Sequence, residues 1–280
     1  MKKNVLLLLV FFIAGTMFAQ DKKEDYGWKR GGHLGLLFSQ TAFKNWVAGG
    51  ENAIAGNLKI NYDFNYKDAK QSWTNKFFVS YGATQINDVV KKSDDQLLFN
   101  SIYGYKLSKN WQFSYFFDFK SQLFTGYDYA TVPYTKVSNI FAPAFISTGP
   151  GLLYKPSDNF YFNWAPVTSK FVIVTDKDLS NAGAYGVDPG KTLRYEMGMN
   201  AQMYFKTALM ENVSLENTLN LFSNYLDKPQ NVDVDNMLNL KMKINKYMSA
   251  NLGVRSIYDD NAFPGWQISE VFGLEFGLDF

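Results

Sequence analysis

The stretch FKNWVAGGENAIAGN, residues 43–57, contains the residue types in this sequence that most suggest chemistry. A glycine pair, Gly49-Gly50, lies among asparagines and Trp46. Such loops bind phosphate when a helix N-terminus follows them. Here AIAGNLKINYDF follows, which alternates like a strand, so we predict that the glycines turn the chain and that Trp46 anchors the turn. A loop that contacts a ligand or partner is the alternative. The candidate loop residues are Asn45, Trp46, Gly49, Gly50 and Asn52.

Catalysis and metal binding have few candidate residues. The one histidine, His33, lies in GGHLGLL, and a hydrolytic triad needs a base beside a nucleophile and an orienting group. The absence of cysteine excludes disulfides and thiolate metal sites. The acidic segments DKDLSNAGAYGVD and YDDNAF offer oxygen ligands for Ca²⁺ but lack EF-hand spacing, so we interpret them as solvated loops. We predict no catalytic residue, no metal and no cofactor.

The N-terminus reads as an export signal. Lys2 and Lys3 precede an apolar run over residues 5–14, and Ala19 is a small residue at a suitable cleavage position. We predict a signal peptide at residues 1–19 and a single domain at residues 20–280; a short buried helix is the alternative. The run is shorter than the about 20 residues of a spanning helix. Removing two of the 28 basic residues leaves 26 against 26 acidic ones, so no nucleic-acid partner is predicted.

Apolar and polar residues alternate along most of the remaining chain, as in WQFSYFFDFKSQLF, residues 111–124. This period of two is that of a β-strand. The runs exceed the ~5–6 residues of an ordinary strand and fit the about 9–11 residues of a strand that crosses a membrane. Twelve strands are predicted near 29–40, 51–66, 72–87, 96–107, 111–125, 142–154, 159–174, 191–206, 212–225, 232–245, 247–258 and 265–280.

The connections between these strands alternate between short turns and mostly longer loops, and aromatic residues such as Trp73 and Trp111 cluster beside the short turns. Both features are typical of outer-membrane barrels. We therefore predict an all-β fold, an antiparallel up-and-down transmembrane β-barrel of about twelve strands, in the lipid of the outer membrane with both termini periplasmic. A soluble sandwich or lipocalin-like barrel is the alternative. The terminal Phe280 resembles the signal that barrel-insertion machinery reads during assembly.

The faces predicted to line the lumen carry charges of both signs. They include Lys59, Asp63, Lys76, Asp118, Lys120, Arg194, Glu196, Glu216, Lys241, Lys243, Arg255, Glu275 and Asp279. Mixed charges permit internal ion pairs and argue against a strongly ion-selective pore. Bulky apolar residues are also predicted to point inward: Phe78, Leu98, Ile102, Phe116, Phe124 and Phe222. A barrel of this size is narrower than a porin, so we predict a largely occluded lumen.

Three polar residues, Asn75, Asn217 and Glu270, fall on the predicted lipid face. For Glu270 a position above the apolar band would explain this. For Asn217 a bulge, a register error or a contact with another protein would each explain it. The leading hypothesis is a non-enzymatic barrel with a structural or partner-binding role in an outer-membrane assembly. The alternative is a narrow channel or transporter for a small solute or a hydrophobic molecule. Polar residues that break the lipid face favour the first hypothesis; a continuous polar lumen would favour the second.

Residues 39–82 resemble the start of a family of Bacteroidota outer-membrane barrels known only as a domain of unknown function. The resemblance lies in an NWxxGGxN element, here Asn45 to Asn52, followed by a strand, a short turn and a WxNK strand start at Trp73. The "FAQ" ending of the signal and the overall length also match. The resemblance implies a barrel fold; it implies no activity and no catalytic residue.

Overall fold

Long antiparallel strands make up almost the whole chain. The computed structural model describes residues 26–42, 51–86 and 89–280. The predicted signal peptide and the loop residues Asn45, Trp46, Gly49 and Gly50 lie outside this part, whereas Asn52 is exposed just before the second strand. The elements are β1 Gly27–Thr41, β2 Ala53–Lys67, β3 Gln71–Ile86, β4 Val89–Lys106, β5 Trp111–Ser121, β6 Gly126–Asp128, β7 Thr135–Ser138, β8 Ala144–Ser157, β9 Phe160–Ile173, α1 Lys177–Asn181, a 3₁₀ turn Ala184–Gly186, β10 Leu193–Met210, β11 Val213–Asn224, β12 Val232–Lys243, β13 Met248–Asp259 and β14 Phe263–Asp279.

Twelve of these strands close into one barrel, which confirms the predicted fold class. Each strand pairs with its sequence neighbours, and β1 closes the ring by pairing with β14 from His33↔Asp279 to Phe38↔Leu274. The terminal Phe280 takes part in the closure, because its N–H and carbonyl both bond to the backbone of Gly32. The remaining strands, β6 and β7, form a separate hairpin in the connection between β5 and β8.

The side chains alternate across the barrel wall as the sequence pattern requires. In β5, Trp111, Phe113 and Tyr115 are exposed on the outside, whereas the residues between them are buried inside. Aromatic rings meet beside the short turns, where Trp111 packs on Tyr154 with ring centroids 5.0 Å apart. The outer wall is therefore largely apolar, and aromatic rings also pair at its other end, where Tyr258 packs on Trp266 with ring centroids 5.5 Å apart. Among the residues the structure describes, no helix has both the length and the apolar character to cross a bilayer.

Two connections differ from the sequence prediction. The segment DVVKKSDD was predicted as a loop before a strand at 96–107, but β4 begins at Val89 and pairs with β3 as far as Ile86↔Val89. Its acidic residues fit a strand because they have partners: Asp95 accepts the N–H groups of Leu123 and Phe124. The second difference is the predicted long loop before β14, where residues 260–262 alone join the strands.

Two long connections at the same end, residues 122–143 and 174–192, form what we call the cap. A small core of Ala142, Val174, Leu179 and Val187 holds them together. The Lys136 ammonium, on β7, lies 2.8 Å from Asp176, whose carboxylate also caps the N-terminus of α1. These contacts fix the cap over the wall formed by β5, β8, β9 and β10.

Candidate functional site in the barrel lumen

A charged cluster near the cap joins opposite walls of the lumen. The carboxylate of Asp235, on β12, accepts hydrogen bonds from Lys120 on β5 at 2.8 Å and from the guanidinium of Arg255 on β13 at 3.0 Å. Arg255 also donates to Gln96 on β4 at 2.8 Å. Neither β5 nor β4 neighbours β12 or β13 in the sheet, so these bonds cross the interior. Asp118 adds a second carboxylate 3.5 Å from Lys120.

A second cluster crosses the lumen between β9 and β12. The ammonium of Lys170 lies 2.8 Å from Asp233 and 2.9 Å from Glu196, and its charge also lies over the ring of Phe222. Arg194 pairs with Glu196 on the same strand. Together the two clusters bring Asp118, Lys120, Arg194, Glu196 and Arg255 of the predicted set into one region.

Aromatic and aliphatic side chains form a buried cluster inside the barrel, apart from the charged clusters. Ile102, Phe116, Leu153, Tyr161 and Tyr204, each at most 5% exposed, form one apolar cluster. Tyr161 and Tyr204 stack with ring centroids 5.4 Å apart. These side chains come from β4, β5, β8, β9 and β10, which are consecutive in the sheet, so the cluster covers one side of the lumen.

Cross-lumen contacts continue beyond the apolar cluster. Lys76 on β3 lies 3.7 Å from Glu216 on β11 and 3.7 Å from the ring centroid of Tyr204. On another level, Lys155 of β8 donates to Thr74 of β3 at 2.9 Å. Lys76 is thus held by groups on the facing side of the lumen, whereas Lys155 and Thr74 lie on strands separated by β5 and β4.

His33 lies inside the barrel near the closure between β1 and β14. Its Nδ1 is 2.5 Å from Asp279 and its Nε2 is 2.8 Å from Glu275, which also lies 3.5 Å from Lys241. Both ring nitrogens therefore face carboxylates. The nearby hydroxyl of Ser249 donates to Glu275 at 3.4 Å. Within the described part of the chain this arrangement does not contain a serine bonded to a histidine base.

The other predicted lumen residues occupy less central positions. Lys59 and Asp63 are half-buried on β2, and Lys243 is exposed at the end of β12. One inward prediction is wrong: Phe124 lies beyond the end of β5, is 51% exposed and packs against Tyr81 on the outside. The strand that would have directed its side chain inward ends at Ser121.

Sequence reasoning missed three central residues, Lys170, Asp233 and Asp235. The two aspartates share the parity of Lys241 and Lys243 on the predicted strand 232–245, so a complete count along that strand would have found them. Lys170 was missed because a β-bulge in β9 changes which residues of that strand face the lumen. Ala165 pairs with Asn200 and Thr168 with Gly198, which leaves two residues of β9 opposite one of β10 and reverses the inward parity beyond them.

A polar stripe crosses the outer wall on β11 to β14. Asn217 donates to Asn236 at 2.8 Å, Asn236 lies opposite Ser256, and Glu270 lies diagonally beyond on β14. The pairing of β11 with β12 is regular along its whole length, so neither a bulge nor a register error explains Asn217. By contrast Asn75 is fully buried, with its amide bonded to Phe64 and its oxygen to Ser101.

A chamber of about 260 Å³ lies between the charged clusters and the cap. It continues into a mouth of about 460 Å³, and Gln96, Tyr185 and Arg255 line both spaces. Burial raises the pKa of Tyr185 to about 12, and its hydroxyl donates to the Val137 carbonyl at 2.7 Å, so this side chain is a neutral part of the wall.

Three aspartates at the rim, Asp233, Asp259 and Asp260, have oxygens within 4.8 Å of one another. Each already has a partner. Asp233 pairs with Lys170 at 2.8 Å, the Asp259 carboxylate accepts backbone N–H groups, and Asp260 lies 3.7 Å from Lys228. We interpret the group as part of the polar rim.

A family model described as a protein of unknown function (DUF3078) matches residues 38–127, which is 90 of the 280 residues. This confirms the predicted resemblance to a domain of unknown function. The Bacteroidota origin and the role of the loop motif stay predictions. None of the curated proteins matches the sequence.

Solved structures that resemble the chain do so only at low identity. An outer membrane channel from Pseudomonas putida F1 is 10% identical, with 95% of this chain and 100% of that chain covered and a TM-score of 0.42. Outer membrane phospholipase A from Escherichia coli is 10% identical, with 90% of this chain and 97% of that chain covered and a TM-score of 0.37. The Pseudomonas putida toluene transporter TodX is 10% identical, with 91% of this chain and 81% of that chain covered and a TM-score of 0.32. TM-scores below 0.5 carry no argument about activity or substrate.

Proposed function

We propose that this chain is a non-enzymatic outer-membrane β-barrel whose lumen does not form an open pore. The observation that carries the proposal is the set of contacts between strands that are not neighbours, such as Lys120 with Asp235 and Lys170 with Asp233. An open water column would separate these groups. The apolar cluster around Phe116 supports closure at a second level, because Lys76 on the facing strand β3 lies 3.7 Å from the ring centroid of its Tyr204.

Single-channel recording tests the closed lumen. In a planar bilayer at moderate salt, the purified protein is expected to show little or no steady current. Replacing Phe116 and Tyr204 together by Ala removes two rings from the apolar cluster and should raise the conductance. Phe113→Ala, on the outer face of the same strand, is the matched control and should not. A large, steady and sharply selective current through the unaltered protein would overturn the proposal.

An absence of enzymatic activity is supported by the surroundings of His33. Both ring nitrogens face carboxylates, so neither nitrogen faces a serine hydroxyl, as the base of a catalytic triad must. If His33→Ala abolished a hydrolytic activity of the purified barrel toward lipid or ester substrates, this part of the proposal would fail.

The orientation and location are part of the same proposal. The apolar outer wall and the aromatic rings at the short-turn end support insertion in the outer membrane. After export by the signal peptide and assembly by the barrel-insertion machinery, the cap would face the outside. A cysteine at Val132, 94% exposed in the cap, should react with an impermeant thiol reagent on intact cells, whereas cysteines at Ala69 and Ser108 in short turns should be protected. The reverse pattern would invert the orientation.

A structural or partner-binding role is supported by the polar stripe on β11 to β14. Lipid does not satisfy the exposed carboxylate of Glu270, which lies between the apolar side chains of Ile268 and Phe272. A protein surface with hydrogen-bond donors would satisfy it and would use Asn236 and Ser256 beside it. The occupant we propose is therefore a protein partner in the outer membrane.

Photo-crosslinking in intact cells tests this surface. A photoreactive amino acid at Glu270 is expected to give a discrete protein adduct on a denaturing gel. The same amino acid at Phe113, on the apolar wall of β5, should give none. Adducts with lipid alone at both positions would contradict a protein partner.

The second candidate function is a narrow channel or transporter for a small solute. The continuous chamber and mouth below the cap favour it, because they provide a polar space that opens at one end of the barrel. It requires a path past Phe116, so the conductance experiment also separates the two candidates. Swelling of liposomes that contain the protein would show such a path for an uncharged solute.

A further inference from the structure

Each of the three cations that line the chamber, Lys120, Lys170 and Arg255, is already paired with a carboxylate. Lys120 and Arg255 share Asp235, and Lys170 holds Asp233. A charged ligand would have to break one of these bonds and leave a charge without its partner, which is costly for side chains that are at most 23% exposed. The chamber is therefore suited to a neutral ligand.

The floor of the chamber has hydrogen-bonding capacity that the protein does not use. Asn200 lines the chamber, is 1% exposed and donates its amide to Asn220 at 2.8 Å. Its Oδ1 has no hydrogen-bond partner within the described part of the chain. A buried carbonyl oxygen without a partner is costly, and a ligand hydroxyl would satisfy it. The neighbouring inward residue, Gln202, likewise has an Nε2 without a partner among those residues.

Aromatic rings provide the apolar part of the wall. Phe145, Phe222 and Tyr185 all line the chamber, and Phe145 and Tyr185 meet edge to face at 6.5 Å. Planar amides and carboxylates beside aromatic rings suit a molecule that has hydroxyl groups at its edge and C–H groups on its faces. The volume of about 260 Å³ lies just below the range of about 300–1,000 Å³ of ordinary ligand pockets, so it suits one ring rather than a chain of them.

We infer that the chamber binds a neutral, polyhydroxylated molecule the size of a single sugar ring. The ligand enters from the mouth below the cap, places a hydroxyl on the Asn200 oxygen and packs a face against Phe222. This binding role is separate from the closed lumen, since a site that opens at one end needs no path through the barrel.

Calorimetric titration of the refolded full-length barrel in detergent tests the inference. The probes are glucose, galactose and mannose, with glucuronate and glucosamine as charged relatives. At least one neutral hexose is expected to bind saturably, and the charged relatives at least about tenfold more weakly, because each must displace an internal ion pair. If no neutral hexose binds by 100 mM, or if a charged relative binds as tightly, the inference is wrong.

Two variants locate the binding in the chamber. Asn200→Ala should weaken the hexose about tenfold through loss of one buried hydrogen bond, and Phe222→Leu should weaken it while the volume is largely kept. Asn217→Ala, the same kind of change on the outer wall, is the control. Folding of each variant is checked by its gel mobility before and after heating. Equal weakening by Asn200→Ala and Asn217→Ala would refute a site in the chamber.

The closed lumen is tested separately by swelling of liposomes in the hexose that binds. Binding without swelling supports both proposals. Binding with swelling overturns the closed lumen and leaves the site intact, whereas absence of both overturns the sugar site alone.

Discussion

Asp235→Asn tests whether the lumen excludes enough water for its buried charged side chains to depend on their ion pairs. The wild-type carboxylate accepts hydrogen bonds from Arg255 Nε and Nη2, both at 3.0 Å, and from Lys120 at 2.8 Å. All three side chains are at most 23% exposed. The variant leaves Arg255 facing a neutral amide and leaves Lys120 with only the more distant carboxylate of Asp118, 3.5 Å away. Removing one partner of a buried ion pair costs about 3–5 kcal/mol, and we expect a loss in that range in the free energy of unfolding.

The assay is equilibrium unfolding by guanidinium, followed by tryptophan fluorescence, of the barrel in lipid vesicles. Asp158→Asn is the matched control, because Asp158 is 79% exposed and lies 3.8 Å from Lys155. An exposed pair contributes about 0–1 kcal/mol, so the control should change little.

A compensating variant separates the lost charge from simple damage to packing. Replacing Asp235 by Leu, Lys120 and Arg255 by Met, and Asp118 by Asn removes all the charges of this cluster, and buried ion pairs replaced in this way often lose no stability. We expect this quadruple variant to recover most of the loss. If Asp235→Asn cost no more than Asp158→Asn, the charges would be hydrated and the lumen would hold water, which would refute the reasoning for a closed barrel.

Three further predictions follow from close packing, from the two faces of the wall and from the cap. Gly198→Ala places a Cβ against the Ser223 carbonyl and should lower the free energy of unfolding by about 1–3 kcal/mol. Gly56→Ala, where a Cβ would meet free space, should change that free energy by under about 1 kcal/mol. Equal losses for the two variants in guanidinium unfolding would contradict this. Phe117→Arg, on the outer wall, should impair insertion into vesicles by about 2–4 kcal/mol, and Asn239→Arg, inside, should not. The Lys136 ammonium lowers the pKa of Asp176 to about 2, so this carboxylate stabilises the cap above about pH 4 and its contribution is lost as the pH falls toward 2. The rate of amide hydrogen exchange in α1 of the wild type should therefore rise as the pH falls from about 4 to about 2. The same rise in Asp176→Asn would show that another group titrates.

Local alternation was enough to predict the barrel. A wall between lipid and lumen requires every second residue to be apolar, so the pattern in β5 or β10 reveals a strand and its faces without any knowledge of its neighbours. The same pattern placed Asp118, Lys120, Glu196 and Arg255 inside. It failed where the chain departs from a regular strand: β4 extends to Val89 because cross-strand bonds satisfy its acidic residues, and the bulge at residues 166–167 turns Lys170 inward.

The partners of the inward residues were decided only by the closed barrel. Asp235 meets Lys120 from a strand more than a hundred residues away, and no local period carries information about which side chains face one another across a lumen. That depends on the number of strands and on their stagger around the ring. The chamber, the apolar cluster around Phe116 and the stripe from Asn217 to Glu270 depend on the same register. The sequence by itself therefore determined the type of wall and the face of most residues, and the tertiary structure alone decided what those residues contact.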